Sequence, residues 1–179
     1  NWQFKLIRRI FIIFIILFYS HNLNATNIRV VDLDFLINKN SELKEFINKI
    51  EIDQKQHREE FAKEELNLKS QLEKIEEARL ILNDNEIQNE INEYNKDFNI
   101  FNNKIEKFNI HYENQLNLFK NKILQIILEL LKEYSLNNKI DLILDTKSYI
   151  ISDNSINITN NIFEKLDKIS VGIDLEKFK

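Results

Sequence analysis

The chain has 179 residues, of which 30% are charged, with no Pro, no Cys and a single Gly. Without cysteine it has neither a disulfide framework nor thiolate chemistry, and with one Gly and no Pro almost nothing interrupts a helix. Of the 25 Lys and Arg residues, Lys5, Arg8 and Arg9 lie in an N-terminal leader. The chain without this leader has 22 Lys and Arg residues and 29 Asp and Glu residues, which gives a formal net charge of −7. This acidic balance argues against nucleic acid as a partner, because phosphates are neutralised by Lys and Arg.

Residues 1–25 have the pattern of a secretory signal peptide. The basic residues precede an apolar run of about ten residues, and Ala25 supplies a small residue at the expected cleavage position. A spanning helix needs about 20 apolar residues, so a cleaved leader is favoured over a retained membrane anchor. We therefore expect export with cleavage after Ala25 and a mature chain of residues 26–179 without a stable membrane span.

A long helix is predicted to start at Ser41, an N-cap residue type followed by Glu42 and Glu45. Two lines of positions at heptad spacing predict a thin apolar seam that touches one partner helix. The stronger line is Ile47, Gln54, Phe61, Leu68, Ile75 and Leu82, and the weaker line is Leu43, Ile50, His57, Glu64, Gln71 and Ala78.

Three turn-forming residues, Asn83, Asp84 and Asn85, then separate this helix from a second one. The second helix has a sustained coiled-coil pattern formed by Ile87, Ile91, Tyr94, Phe98, Phe101, Ile105, Phe108, Tyr112 and Phe119. Helices near residues 41–82 and 86–136, joined by so short a turn, must be antiparallel neighbours. We expect residues 41–119 to form a protruding arm with its tip near residues 83–85.

Short strands are predicted at both ends of this arm. The alternation in IDLILD (residues 140–145) is that of a half-buried strand, a turn at 146–148 follows, and a second strand starts at 149–151. IRVVDLD (residues 28–34) is the other strand-like stretch, and we expect it to join them in a small sheet that clamps the root of the hairpin. The fold class is therefore α+β, mostly α.

The head comprises residues 27–40 and 120–170 in this interpretation. Thr159 is predicted to be the N-cap of a short amphipathic helix, NNIFEKLDKI, which Gly172 follows as a stop. A head of three strands and short helices leaves open sheet edges, which pairing between subunits would cover. An oligomer is therefore expected.

At this point the chain resembles the Skp (OmpH) family of periplasmic chaperones. The resemblance is specific at VVDL (residues 30–33) and from 140 to 166, and generic along the arm. It implies a homotrimer in the periplasm of a Gram-negative bacterium, with three arms around a cavity that holds unfolded outer-membrane β-barrel proteins without ATP. The tip differs from the basic tips of the family, because Lys74 and Arg79 face Glu73, Glu76, Glu77, Asp84, Glu86 and Glu90, which argues against lipid binding there.

No residue pattern indicates an enzyme, and we expect no catalytic, cofactor-binding or metal-binding residues. His57 and His111 fit a helical seam better than a metal pair, because neither has ligands at convincing spacing. Four apolar residues off the seam are candidates for contact with an unfolded client: Ile100, Ile110, Leu116 and Leu118. The alternative to a holdase is an exported or membrane-anchored trimeric coiled-coil spacer, although polar residues in the first helix favour a compliant arm over a rigid one.

Overall fold

The computed structural model describes residues 25–179, and the predicted signal peptide lies almost wholly outside them. In chain order the elements are β1 (Ile28–Val31), α1 (Leu33–Lys39), α2 (Ser41–Ala78), α3 (Asp84–Asn138), β2 (Leu142–Asp145), 3₁₀ turns at Thr146–Ser148 and Asn154–Ile156, and α4 (Thr159–Leu166). Within this part of the chain, no helix combines the length and the apolar character needed to cross a membrane.

Helices α2 and α3 form the predicted antiparallel hairpin. Their 38 and 55 residues correspond to lengths of about 57 and about 82 Å at 1.5 Å per residue. The cap of α2 is Asn40, whose Oδ1 accepts from the Leu43 N–H at 2.9 Å, so the predicted cap at Ser41 is one residue late. α2 ends at Ala78 rather than near 82. Asn83 caps α3 in a reciprocal capping box with Glu86, so α3 begins two residues earlier than predicted.

The two ends of the arm meet in a two-stranded parallel sheet. Ile28 pairs with Leu142 and Val31 with Asp145. Parallel strands cannot be joined by a tight turn and need a long crossover, and here the entire helical hairpin is that crossover. The predicted closure of the arm on a small sheet is confirmed.

The predicted strand at 149–151 is wrong. After β2 the chain enters the 3₁₀ turn, and Ile150 and Ile151 are 103% and 88% exposed. The Asp145 side chain accepts from the Leu33 N–H at 3.3 Å, which holds the end of β2 at the start of α1. In place of the predicted third strand, β1 forms one isolated parallel bridge, between Val30 and Asn157. Ile150 and Ile151 find no apolar surface to pack on within the described chain.

The predicted N-cap at Thr159 is also wrong, although Thr159 has a structural role. Asn157 Oδ1 accepts from the Thr159 N–H at 2.9 Å, so the asparagine satisfies that donor. The Thr159 hydroxyl faces the other way and accepts from the Asp32 N–H at 2.9 Å. Thr159 therefore fastens α4 to the junction between β1 and α1.

The apolar core runs from the head into the arm. Leu36, Ile123, Ile127, Ile162 and Leu166 are each 0% exposed in the head. The same cluster continues along the seam to Phe61 and Phe108. Beyond that point Leu68 and Ile75 are buried but separate from the cluster, and the predicted seam residue Leu82 is 38% exposed.

Candidate functional site: the exposed faces of the arm

Three of the four client-contact candidates face solvent. Ile100, Ile110 and Leu118 are 56%, 47% and 54% exposed. Leu116 is partly buried and packs against the core. It lies roughly 160° around the helix from Ile100 at about 100° per residue. The structure therefore groups three candidates on the outside of α3 and assigns Leu116 to the seam side.

The surface around these three residues has an unusual composition. Within an arc of about 100°, every position of α3 from 92 to 132 is Asn, Gln, Lys, Ile or Leu, and all are exposed. We call this surface the amide stripe: Asn92, Lys96, Asn99, Ile100, Asn103, Lys107, Ile110, Asn114, Asn117, Leu118, Asn121, Gln125, Leu128 and Lys132. No carboxylate interrupts it, although the chain as a whole is acidic.

The chemistry of the amide stripe suits contact with an unfolded polypeptide. Asn and Gln side chains both donate and accept hydrogen bonds, as does a peptide backbone. The aliphatic residues are spaced apart, so they offer weak apolar contacts without forming one large, aggregation-prone apolar patch. The stripe therefore combines groups that can hydrogen-bond a peptide backbone with apolar side chains that are separated from one another.

The tip of the arm carries a second exposed apolar group. Leu80 and Ile81 are 90% and 86% exposed in the turn between the helices. The neighbouring charges pair weakly, with Arg79 3.5 Å from Glu76. The tip is thus apolar at its end and acidic on its flanks.

A polar pair lies inside the seam of the arm. The Tyr112 hydroxyl donates to Asp53 Oδ2, and these residues are only 3% and 6% exposed. Burial raises the pKa of Tyr112, the hydrogen bond to Asp53 raises it further, and the nearby Phe178 backbone acts in the opposite direction. Asp53 lies outside both predicted heptad lines, next to the weaker one, so the heptad pattern does not predict its burial.

His57 and His111 meet at one aromatic ring. Their ring centroids lie 5.4 and 5.6 Å from that of Phe178, near the C-terminus. In residues 25–179 no group of three or more His, Asp or Glu side chains is arranged to hold a metal ion. The two histidines pack against this aromatic side chain.

Residues 171–179, here called the tail, lie against the arm and were not assigned from the sequence. Val171 is 3% exposed, and Ile173, Leu175 and Phe178 pack against the core. The signal was present as apolar residues at every second position from 171 to 175. It was overlooked because so short an alternation at a chain end predicts no partner.

The fold defines a class before any comparison is made: a small α+β head that carries one long helical hairpin. The family model for outer membrane protein (OmpH-like) matches residues 27–166, and the chain belongs to this family. The match ends before the tail. This is a chaperone family and not a family of enzymes, in agreement with the non-enzymatic interpretation of the sequence.

A solved structure shares the fold. It is the crystal structure of a protein described as an OmpH-like outer membrane chaperone from Caulobacter crescentus CB15, with a TM-score of 0.64 and 11% identity. The alignment covers 89% of this chain and 95% of that one. No curated protein matches the chain.

Proposed function

We propose that this protein is an ATP-independent periplasmic holdase that binds unfolded outer-membrane β-barrel proteins and prevents their aggregation. Family membership supports a chaperone role, and the observation that carries the finer proposal is the amide stripe. A strand of a membrane β-barrel alternates apolar and polar residues, and its unfolded backbone has unpaired hydrogen-bonding groups. Spaced aliphatic side chains and carboxamides match both features.

A homotrimer that encloses the client is part of this proposal. The support on the head is its exposed apolar surface, with Leu142, Ile150 and Ile151 at 45%, 103% and 88% exposure. Residues of this kind beside an open sheet edge favour association between copies. Multi-angle light scattering should give three subunits for residues 26–179. Ile150→Ser with Ile151→Ser should shift the mass toward the monomer, and an unchanged mass would remove these residues from the interface.

The amide stripe is tested with a pair of substitutions and a matched pair. Ile100→Ser with Leu118→Ser removes two stripe residues that are 56% and 54% exposed. Leu66→Ser with Leu72→Ser removes two leucines of α2 that are 66% and 43% exposed. Fluorescence anisotropy of a labelled, urea-unfolded outer-membrane β-barrel protein gives the affinity. The first pair should raise Kd by about fivefold, corresponding to roughly 1 kcal/mol, while the matched pair leaves it unchanged. Equal effects of the two pairs would exclude the stripe as the client surface.

A further inference from the structure

The tail takes an extended path along the groove between α2 and α3. Gly172 has φ +68, a conformation that favours glycine, and it redirects the chain after α4. From Val171 to Phe178 is seven residues, about 23 Å when extended. The arm residues they meet run from Glu42 to His57, about 22 Å along a helix. The equal lengths indicate a tail stretched parallel to α2.

Arm side chains bind the tail through its backbone. Glu42 Oε2 accepts from the Val171 N–H at 2.9 Å. Gln115 Oε1 accepts from the Glu176 N–H at 3.2 Å, and His111 Nε2 donates to the Glu176 carbonyl at 2.7 Å. Backbone contacts of this kind do not depend on which residue occupies the bound position.

The side chains of the tail alternate between the groove and solvent. Val171, Ile173 and Leu175 point toward the arm, and Gly172, Asp174 and Glu176 are exposed. The Phe178 ring closes the far end, edge-on to Phe108 and His57 with centroids 5.4 Å away in each case. We call this surface the tail groove, formed around Glu42, Phe46, His57, Phe108, His111 and Gln115.

We infer that the tail groove is a binding site for an extended, alternating apolar and polar segment of an unfolded outer-membrane β-barrel protein, and that the tail is its internal competitor. The inference rests on the proposed function and names a second contact for the same client. Backbone-directed groups with apolar contacts at alternate positions define recognition of an extended polypeptide. A transmembrane β-strand has this alternation over about ten residues, close to the length of the tail.

The first test uses the unaltered chain. Hydrogen exchange of residues 170–179 is followed by mass spectrometry before and after a urea-unfolded outer-membrane β-barrel protein is diluted into it. Displacement predicts faster exchange of the Val171 and Glu176 amides in the complex. Unchanged or slower exchange, in a sample where scattering shows that the complex has formed, overturns the inference.

The second test weakens the competitor within the intact chain. Ile173→Ser, Leu175→Ser and Phe178→Ser together should lower Kd for the labelled client about tenfold, as expected when the groove is otherwise open about a tenth of the time. Asp174→Ser, Glu176→Ser and Lys177→Ser change three exposed tail residues and should leave Kd unchanged. A synthetic peptide of residues 170–179 in excess should restore the weaker binding to the first variant. Circular dichroism and light scattering establish that both variants keep their fold and mass.

The outcomes separate the two proposals. Equal client affinity in both variants, with no effect of the peptide, overturns the groove inference and leaves the holdase proposal intact. A client that no form of the chain keeps soluble overturns the holdase proposal and the groove inference with it.

Discussion

The proximal and distal halves of the arm are built differently. In the proximal half Phe46 stacks on Phe119 with centroids 4.3 Å apart, Phe61 and Phe108 meet edge-on, and the tail covers the groove. In the distal half the seam is less buried: the predicted seam residues Phe98 and Leu82 are 41% and 38% exposed. Stability is therefore concentrated near the head, and the outer arm is the part that opens at low free-energy cost.

The polar contacts of the distal half reinforce this difference. Gln71 Nε2 donates to Asp97 at 3.3 Å. The other amide atom of Gln71, Oε1, is buried and finds no hydrogen-bond partner in the described part of the chain. A buried polar atom without a partner costs about 1–3 kcal/mol. A compliant outer arm fits the proposed role of enclosing clients of different sizes.

The largest predicted effect comes from the proximal seam. Phe119→Ala should lower the free energy of unfolding by about 3–5 kcal/mol, because it leaves a cavity opposite Phe46. Urea denaturation followed by circular dichroism measures the change. Phe98→Ala is the distal control and should cost less than about 1 kcal/mol. Equal costs would show that the halves are packed alike.

The next largest effect on stability is expected from the buried hydrogen bond between Tyr112 and Asp53. Tyr112→Phe should cost about 1–3 kcal/mol at neutral pH, since Asp53 loses a buried donor. The pKa of Tyr112 is raised in the fold above an unfolded value of about 10. Its contribution is therefore complete below pH of about 10 and declines as the pH rises further. Urea titrations of both proteins from pH 8 to 11 should show their difference shrinking above pH 10. A constant difference would contradict this linkage.

A smaller effect on the free energy of unfolding is expected from substitution of Ile75, near the tip of the arm. Ile50 and Ile75 are 7% and 5% exposed on the same helix, one in each half of the arm. Ile50→Ala should cost about 2–5 kcal/mol of global stability, whereas Ile75→Ala should cost about 1 kcal/mol or less and act by local opening. Hydrogen exchange should accelerate only around the tip in the second variant. Global acceleration would mean that the arm unfolds as one unit.

The smallest effect is expected at the tip itself. Leu80→Ser with Ile81→Ser should change the free energy of unfolding by less than about 0.5 kcal/mol, because both side chains already face water. Thermal unfolding of the full chain measures it. A clear loss of stability would indicate that the tip is packed against another copy.

Periodic patterns predicted the long elements well, and contacts between distant residues were the part they missed. The hairpin and its closure on a sheet follow from heptad spacing, one polar turn and two strand-like ends. Asn157 accepts from the backbone N–H at the start of α4. Thr159 does not act as the cap because its hydroxyl accepts from the N–H of Asp32, 127 residues away. The strand expected at 149–151 did not form because alternation does not specify a partner, and Asn157 rather than this segment bridges to β1.

The candidate site was predicted only in outline. Ile100, Ile110 and Leu118 were placed off the seam correctly by periodicity, but Leu116 packs against the core. The amide stripe around them becomes visible when the exposed positions of α3 are compared along the whole helix. The buried Asp53 and the docked tail depend on contacts with residues far along the chain, which no local pattern contains.

The central claim is tested most directly with residues 26–179 and a urea-unfolded outer-membrane β-barrel protein diluted into them. Light scattering follows aggregation, and multi-angle scattering gives the mass of the complex. The account predicts suppressed aggregation and a soluble complex of three subunits with one client. A clean trimer that leaves the client to aggregate would contradict it and favour a structural spacer.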